Sequence, residues 1–195
     1  MEKYRIISNK IIKNINNRRL LLKKLDNNFI YISSSNIQNK YWRQKQEWYI
    51  NGKHNECEKY QKELFYKITG KNIKNRTHIR IYKNNLVFMS EPFRNIDSFE
   101  YSEDFDGYFQ YNNNDFYVNL KFICDDGGSQ IRTLKLVYNF IKDQTQIKDN
   151  NKYFINILDG DTCYKYMNKI NYLSNKQIFI GDMKQFKIWW FNNFK

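Results

Sequence analysis

Between positions 116 and 123, Phe116, Val118, Leu120 and Phe122 alternate with Tyr117, Asn119, Lys121 and Ile123. The first set makes a clean apolar face, so the second set belongs to the other side of a strand. An Asn and a Lys in the middle of such a strand need a reason. The preceding segment, Asp104–Gln110, reads as the partner strand of a hairpin that turns through Asn112-Asn113-Asn114-Asp115. With the turn centred between Asn113 and Asn114, paired positions have numbers that sum to 227. Asp106 then stands opposite Lys121 and Tyr108 opposite Asn119, and directly opposed side chains share a face. A carboxylate, a second oxygen ligand and a lysine so placed suit hydrolysis of a phosphodiester. Mg²⁺ takes one or two carboxylates and keeps waters and substrate oxygens, and it lowers the pKa of a bound water. The lysine can orient or help deprotonate that water and offset developing negative charge. The blander alternative is a surface salt bridge across a hairpin, which is common and contributes little.

The elements that must position these residues follow from periodicity. Residues 4–25 carry Ile6, Ile7, Ile11, Ile12, Ile15, Leu20–Leu22 and Leu25 among Lys and Arg, the pattern of one or two amphipathic helices. Residues 36–68 also read as helical, with Gly70 as the stop signal. From His78 the texture changes to strands: Ile79–Tyr82 and Leu86–Met89 flank a tight turn at Lys83-Asn84-Asn85. After the 104–123 hairpin, Gly127-Gly128-Ser129 leads into Ile131, Leu134, Val137, Tyr138 and Ile141 at helical spacing. Tyr153–Leu158 is a buried strand ending in Asp159-Gly160-Asp161, Gln177–Ile180 a last strand and Met183–Phe194 a closing helix. The expected architecture is a single α/β (α+β) domain over 1–195, a mixed central sheet with flanking helices. Residues 1–75 form its mainly helical part, 76–182 its mixed-sheet core and 183–195 the closing helix.

Composition defines the partner. Apolar residues make up 41% of the chain and aromatics 18%, so it can build a core. Lys and Arg exceed Asp and Glu by 13, which predicts attraction to a polyanion through phosphate contacts. The competing explanation is compositional drift, since the chain is also rich in Asn, Ile, Tyr and Phe. Cys57, Cys124 and Cys163 are widely spaced, no C-x-x-C pair occurs, and the histidines are His54 and His78 alone. That excludes a conventional structural zinc site and argues against a disulfide framework. No signal-peptide apolar region and no run of roughly 18 apolar residues is present, so a soluble protein of the cytoplasm, with no membrane partner, is expected.

An Asp in one strand, an x-x-Lys in the next, then a helix and a strand resembles the PD-(D/E)xK nuclease fold. SEDFDG (102–107), YVNLKFICDDGGSQIRTLKLVYNFI (117–141) and YFINILDGD (153–161) resemble segments of type II restriction endonucleases. The GGSQ-x-R-x-L run before an apolar strand ending in LDGD is the most specific part of the likeness, which spans about 60 residues. It implies a PD-(D/E)xK restriction-endonuclease-like fold, Mg²⁺ as cofactor and Asp106 as the metal-binding aspartate. Asn119-Leu120-Lys121 would occupy the (D/E)-x-K tripeptide, with Asn119 as second metal ligand and Lys121 as the catalytic lysine. Asn119 departs from the pattern, because an amide oxygen brings no charge and lowers affinity for Mg²⁺. Glu103, Asp104, Asp125, Asp126 or a helical acid such as Glu63 are the candidates to compensate.

Other residues read toward DNA. Gly127-Gly128-Ser129-Gln130 opening a helix can present backbone N–H groups to a phosphate. Gln130 and Arg132 are types that read base edges, though equally common at a helix start. Lys40 and Arg43 lie in a basic stretch beside Trp42 and Trp48, a pattern for phosphate contact. Asp159-Gly160-Asp161 reads first as a turn, and Trp189-Trp190-Phe191 as core packing. The expected function is a Mg²⁺-dependent, sequence-specific endonuclease acting on double-stranded DNA. Homodimerisation is expected because two-fold symmetry matches palindromic half-sites. A DNA methyltransferase acting on the same site is the corresponding partner. The alternatives are a non-catalytic DNA- or RNA-binding protein that keeps a degenerate nuclease fold, and a structural protein whose charge is drift.

Overall fold

The computed structural model describes residues 56–73, 77–89, 95–123 and 127–194. The expected helices over 4–25, most of that over 36–68, and Lys40, Arg43, Pro92, Cys124, Asp125 and Asp126 lie outside the described residues.

The centre of the fold is a four-stranded sheet in the order β3-β4-β5-β6, formed by Gly107–Tyr111, Asn114–Phe122, Lys152–Asp159 and Ile178–Gly181. β3 and β4 are antiparallel, while β4, β5 and β6 run parallel. Parallel neighbours need a crossover. Helix α2 (Gly128–Gln144) supplies the first, and α3 (Asp161–Tyr166) with two short 3-10 turns supplies the second. Helix α1 (Glu56–Thr69) precedes the sheet and α4 (Met183–Phe194) closes the chain. A separate two-stranded hairpin, β1 (Ile79–Tyr82) and β2 (Asn85–Phe88), stands beside it. The expected α/β architecture with a mixed sheet and flanking helices is thus what the chain forms.

Strand alternation sorts the core into two layers. Tyr117, Phe154, Leu158, Ile178 and Ile180 pack against α2 and α3 through Leu134, Val137, Phe140, Ile141 and Cys163. Phe116, Val118, Leu120, Ile155, Ile157 and Phe179 face the other way, onto Phe65 of α1 and Phe186 and Trp190 of α4. The central strand β5 is buried along both faces, as a parallel strand covered by helices on each side must be. Burying an aliphatic or aromatic side chain of this size contributes about 1.5–3 kcal/mol, so both layers bind the sheet strongly. Of the Trp189-Trp190-Phe191 run, Trp190 is buried in this core and Phe191 is exposed.

Two tight turns set the strand registers. Lys83 and Asn84 both have positive φ, as do Asn112 and Asn113. A two-residue hairpin loop of that kind matches the twist of its strands, and Asn tolerates the left-handed region. The second turn therefore sits one residue earlier than expected. Paired positions of β3 and β4 sum to 225, beginning with Gly107 opposite Val118. The change moves each partner by two residues, so every side chain keeps its face. Helix α1 ends at Gly70, whose φ of 70° lets its N–H reach the Tyr66 carbonyl at 2.8 Å.

Candidate active site at the ends of the parallel strands

The chain turns sharply at Asp106. Phe105 packs in the α2-side layer, whereas Phe109, of the same parity, packs in the opposite layer. A straight strand would put both on one face. The bend ends the β3–β4 ladder at Gly107, and the Asp106 carboxylate takes over where the backbone leaves: its Oδ2 accepts the Leu120 N–H at 2.7 Å. Gly107 is required beside it, because a Cβ there would stand 2.7 Å from the Ile73 Cβ.

The segment before the bend is held by the β1 strand. Ser102 N donates to the Ile81 carbonyl at 2.9 Å, Phe105 N to the Ile79 carbonyl at 3.1 Å, and Ile81 N to the Ser102 hydroxyl at 2.8 Å. Arg80 Nε pairs with Asp104 at 2.5 Å. These contacts fix the backbone of Glu103, which points toward the sheet's end. The Lys121 ammonium lies 3.2 Å from a Glu103 carboxylate oxygen and 4.0 Å from the Asp106 carboxylate. Two acids thus converge on one lysine where β4 approaches its carboxyl end.

The surroundings raise the pKa of both groups, for different reasons. Burial pushes the Asp106 carboxyl above the ordinary aspartate range, against the Lys121 charge and the Leu120 N–H bond, which favour the anion. Burial alone would lower Lys121, but Asp106, Glu103 and Glu58 together outweigh it and hold the ammonium above its usual value. At neutral pH the lysine is a cation. It can stabilise negative charge but has no free lone pair with which to take a proton, so of the roles expected for it the electrostatic one fits.

Asn119 does not join this cluster. Its side chain has no exposed surface, and its Nδ2 donates to Asn156 Oδ1 at 3.1 Å. Asn156 also accepts from Gln144 Nε2 at 3.1 Å and donates to Gln144 Oε1 at 2.8 Å and to the Phe179 carbonyl at 3.3 Å. Asn119 is therefore the end of a buried amide ladder tying β4, β5, β6 and α2 together. Its Oδ1 is buried without a hydrogen-bond partner. The expectation that it stands beside Asp106 as an open ligand is corrected on that ground: side chains two apart share a face, but here one lies at the rim and the other in the core.

The remaining candidates fall in different places. Glu103 is the compensating acid that reaches the cluster, while Asp104 is engaged by Arg80 and Glu63 is exposed on α1. Ser129 and Arg132 are exposed and Gln130 half-buried in the first turns of α2, which starts at the same end of the sheet as Lys121. Asp159 is buried, accepting from Gln61 Nε2 at 2.7 Å and from Met183 N at 3.1 Å. It is a clasp between β5, α1 and α4. Gln61 also donates to the Lys121 carbonyl at 3.1 Å, locking α1 against the strand that carries the lysine. Nothing in local spacing marks Gln61, because its role depends on a contact 98 residues away.

Asp106 and Glu103 offer hard oxygen donors, the type Mg²⁺ prefers, and among the described residues no three His, Cys, Asp or Glu side chains form a closed cage. No described helix is long and apolar enough to cross a membrane. No family model, curated protein or solved structure matches the chain.

Proposed function

We propose that the chain is a Mg²⁺-dependent endonuclease of double-stranded DNA with a PD-(D/E)xK-like core. The observation that carries the reading is the convergence of Asp106 and Glu103 on Lys121 where β3 bends away from β4. A mixed sheet with an antiparallel pair, then a helical crossover to a parallel strand, supports it, since that is the order the resemblance implies. Asp106 and Glu103 would hold Mg²⁺, which when bound supplies a water of lowered pKa and charge stabilisation at the phosphorus. The Leu120 N–H and the bend at Gly107 orient the Asp106 carboxylate, and β1 orients Glu103. Lys121 keeps its ammonium beside both acids, positioned to offset charge on the phosphate oxygens. The excess of 13 basic residues draws a polyanion to the chain. Ser129, Gln130 and Arg132, in α2's first turns, are the contacts proposed for DNA. A homodimer cutting both strands, with a methyltransferase protecting the same site, completes the scheme.

A specific observation favours a second reading, a non-catalytic nucleic-acid-binding protein on a degenerate nuclease fold. The tripeptide position that would carry a carboxylate holds Asn119, and that amide is sealed in the core. Plasmid incubation with and without Mg²⁺ separates the two. The nuclease reading expects metal-stimulated nicking that Glu103→Gln and Lys121→Gln each reduce about 100-fold or more; binding without cleavage at any Mg²⁺ concentration supports the second.

A further inference from the structure

We propose that a second, non-catalytic site, the groove between α2 and the 3-10 turns after α3, binds a single-stranded segment of nucleic acid, with a base against Tyr138 or Tyr166 and the phosphates on Lys135 and Lys169. The groove encloses about 320 Å³, bounded by Leu134, Lys135 and Tyr138 on one side and Tyr166, Lys169 and Ile170 on the other. That volume lies within the roughly 300–1,000 Å³ typical of ligand sites. Ile131, Leu134 and Ile170 line it together with Tyr138 and Tyr166, whose rings are the type of surface on which an unpaired base stacks whatever its sequence. Intact duplex offers only base edges to such a groove, its ring faces being stacked within the helix.

Charge identifies the occupant as an anion. The stretches that line the groove, 131–138 and 166–170, contain Arg132, Lys135 and Lys169 and no Asp or Glu. Both Lys135 and Lys169 are exposed, and neither is ion-paired to a carboxylate among the described residues. The ammonium groups of Lys165 and Lys169 lie 5.6 and 5.3 Å from the Tyr166 ring centroid. An aromatic ring with cations over it brings stacking and phosphate contact within reach of one nucleotide. The Tyr138 and Tyr172 hydroxyls, 2.5 Å apart, tie α2 to the segment that follows and hold the groove's shape. The site rests on its own residues and not on the nuclease reading.

The test is fluorescence anisotropy of the full chain with a short fluorescein-labelled oligothymidylate, in EDTA so that no hydrolysis intervenes. Lys135→Glu with Lys169→Glu should weaken binding about tenfold or more, while Lys67→Glu with Lys187→Glu, on the opposite helical layer, should weaken it less than about threefold. Tyr166→Ala should weaken it about fivefold or more and Tyr166→Phe should retain it. Equal binding of oligouridylate would extend the site to RNA on the same chemistry. Equal losses for the two lysine pairs, or oligothymidylate binding that the groove variants leave unchanged, would overturn the proposal. If Tyr166→Ala fails to fold by circular dichroism, the lysine pairs decide, since both lie on exposed surface.

Discussion

Asp106 combines two opposed demands. Its carboxylate replaces a missing backbone acceptor for the Leu120 N–H, yet burial favours its neutral form. A group whose pKa is raised on folding contributes stability that is fully present below its unfolded pKa and lost as pH rises through the folded one. Asp106→Asn should therefore raise the thermal midpoint at pH 7–8, with the advantage shrinking in acid, while removing metal-dependent cleavage. A scanning calorimetry series across pH checks the sign; a lower midpoint for the variant at pH 8 would show that the Lys121 and Leu120 contacts outweigh desolvation. Lys121 follows the same rule in a different window: its raised pKa means that its stabilising charge persists through neutrality and is lost only under strong alkali. Asn119 yields a sharper contrast. In the buried ladder, Asn119→Asp should destabilise the fold by about 3 kcal/mol or more, as an uncompensated buried charge does, without tightening Mg²⁺ binding. A variant that kept its stability and bound Mg²⁺ more tightly would return Asn119 to the ligand set.

At the scale of elements, the β3–β4 hairpin and its bend determine whether the site exists. Gly107→Ala would push a methyl group against Ile73, 2.7 Å from its Cβ. Overpacking of this kind costs about 1–3 kcal/mol, and here it also displaces the Asp106 backbone, so denaturant midpoint and cleavage should fall together. The amide ladder is the second element-scale device. Asn156→Ala removes the shared partner of Asn119 and Gln144, and stranded buried amides cost about 1–3 kcal/mol each, measurable by urea unfolding. Much of this framework is legible in the sequence. The Phe116-Val118-Leu120 alternation, the apolar YFINIL run and the helical spacing of Leu134, Val137 and Ile141 mark β4, β5 and α2. The register is less legible, because four consecutive polar residues, Asn112 to Asp115, admit more than one turn centre, and the one adopted places positive φ on Asn112 and Asn113. The bend at Asp106 is invisible to periodicity, since it follows from Phe105 and Phe109 packing in different layers. Glu103 is hard to choose over Asp104 for a related reason: which of two adjacent acids reaches Lys121 is set by the β1 contacts and by Arg80 taking the other.

For the molecule as a whole, charge and topology act together. The parallel strands β4, β5 and β6 present their carboxyl ends on one side, where open α/β sheets place ligands. Lys121, the start of α2 and the start of α3 all lie at that end. If DNA is the partner proposed above, the excess of 13 positive charges should make its binding strongly salt-dependent. For about six phosphate contacts, affinity should fall roughly a thousandfold between 50 and 200 mM salt. A salt titration of duplex binding checks this, and a nearly flat response would assign the charge to composition and not to a nucleic-acid surface. The buried Asp159 clasp and Gln61 make α1 part of the same unit, so whatever holds α1 also holds the strand bearing Lys121.

Cleavage of supercoiled plasmid and genomic DNA by the full chain with Mg²⁺ or EDTA tests the proposed nuclease activity most directly, alongside Asp106→Asn and Lys121→Gln shown by circular dichroism to be folded. Discrete fragments in Mg²⁺, none in EDTA, and a loss of about 100-fold or more in each variant are expected of a Mg²⁺-dependent nuclease. Cutting by both folded variants at the parent rate, or intact DNA at every Mg²⁺ concentration, would contradict it.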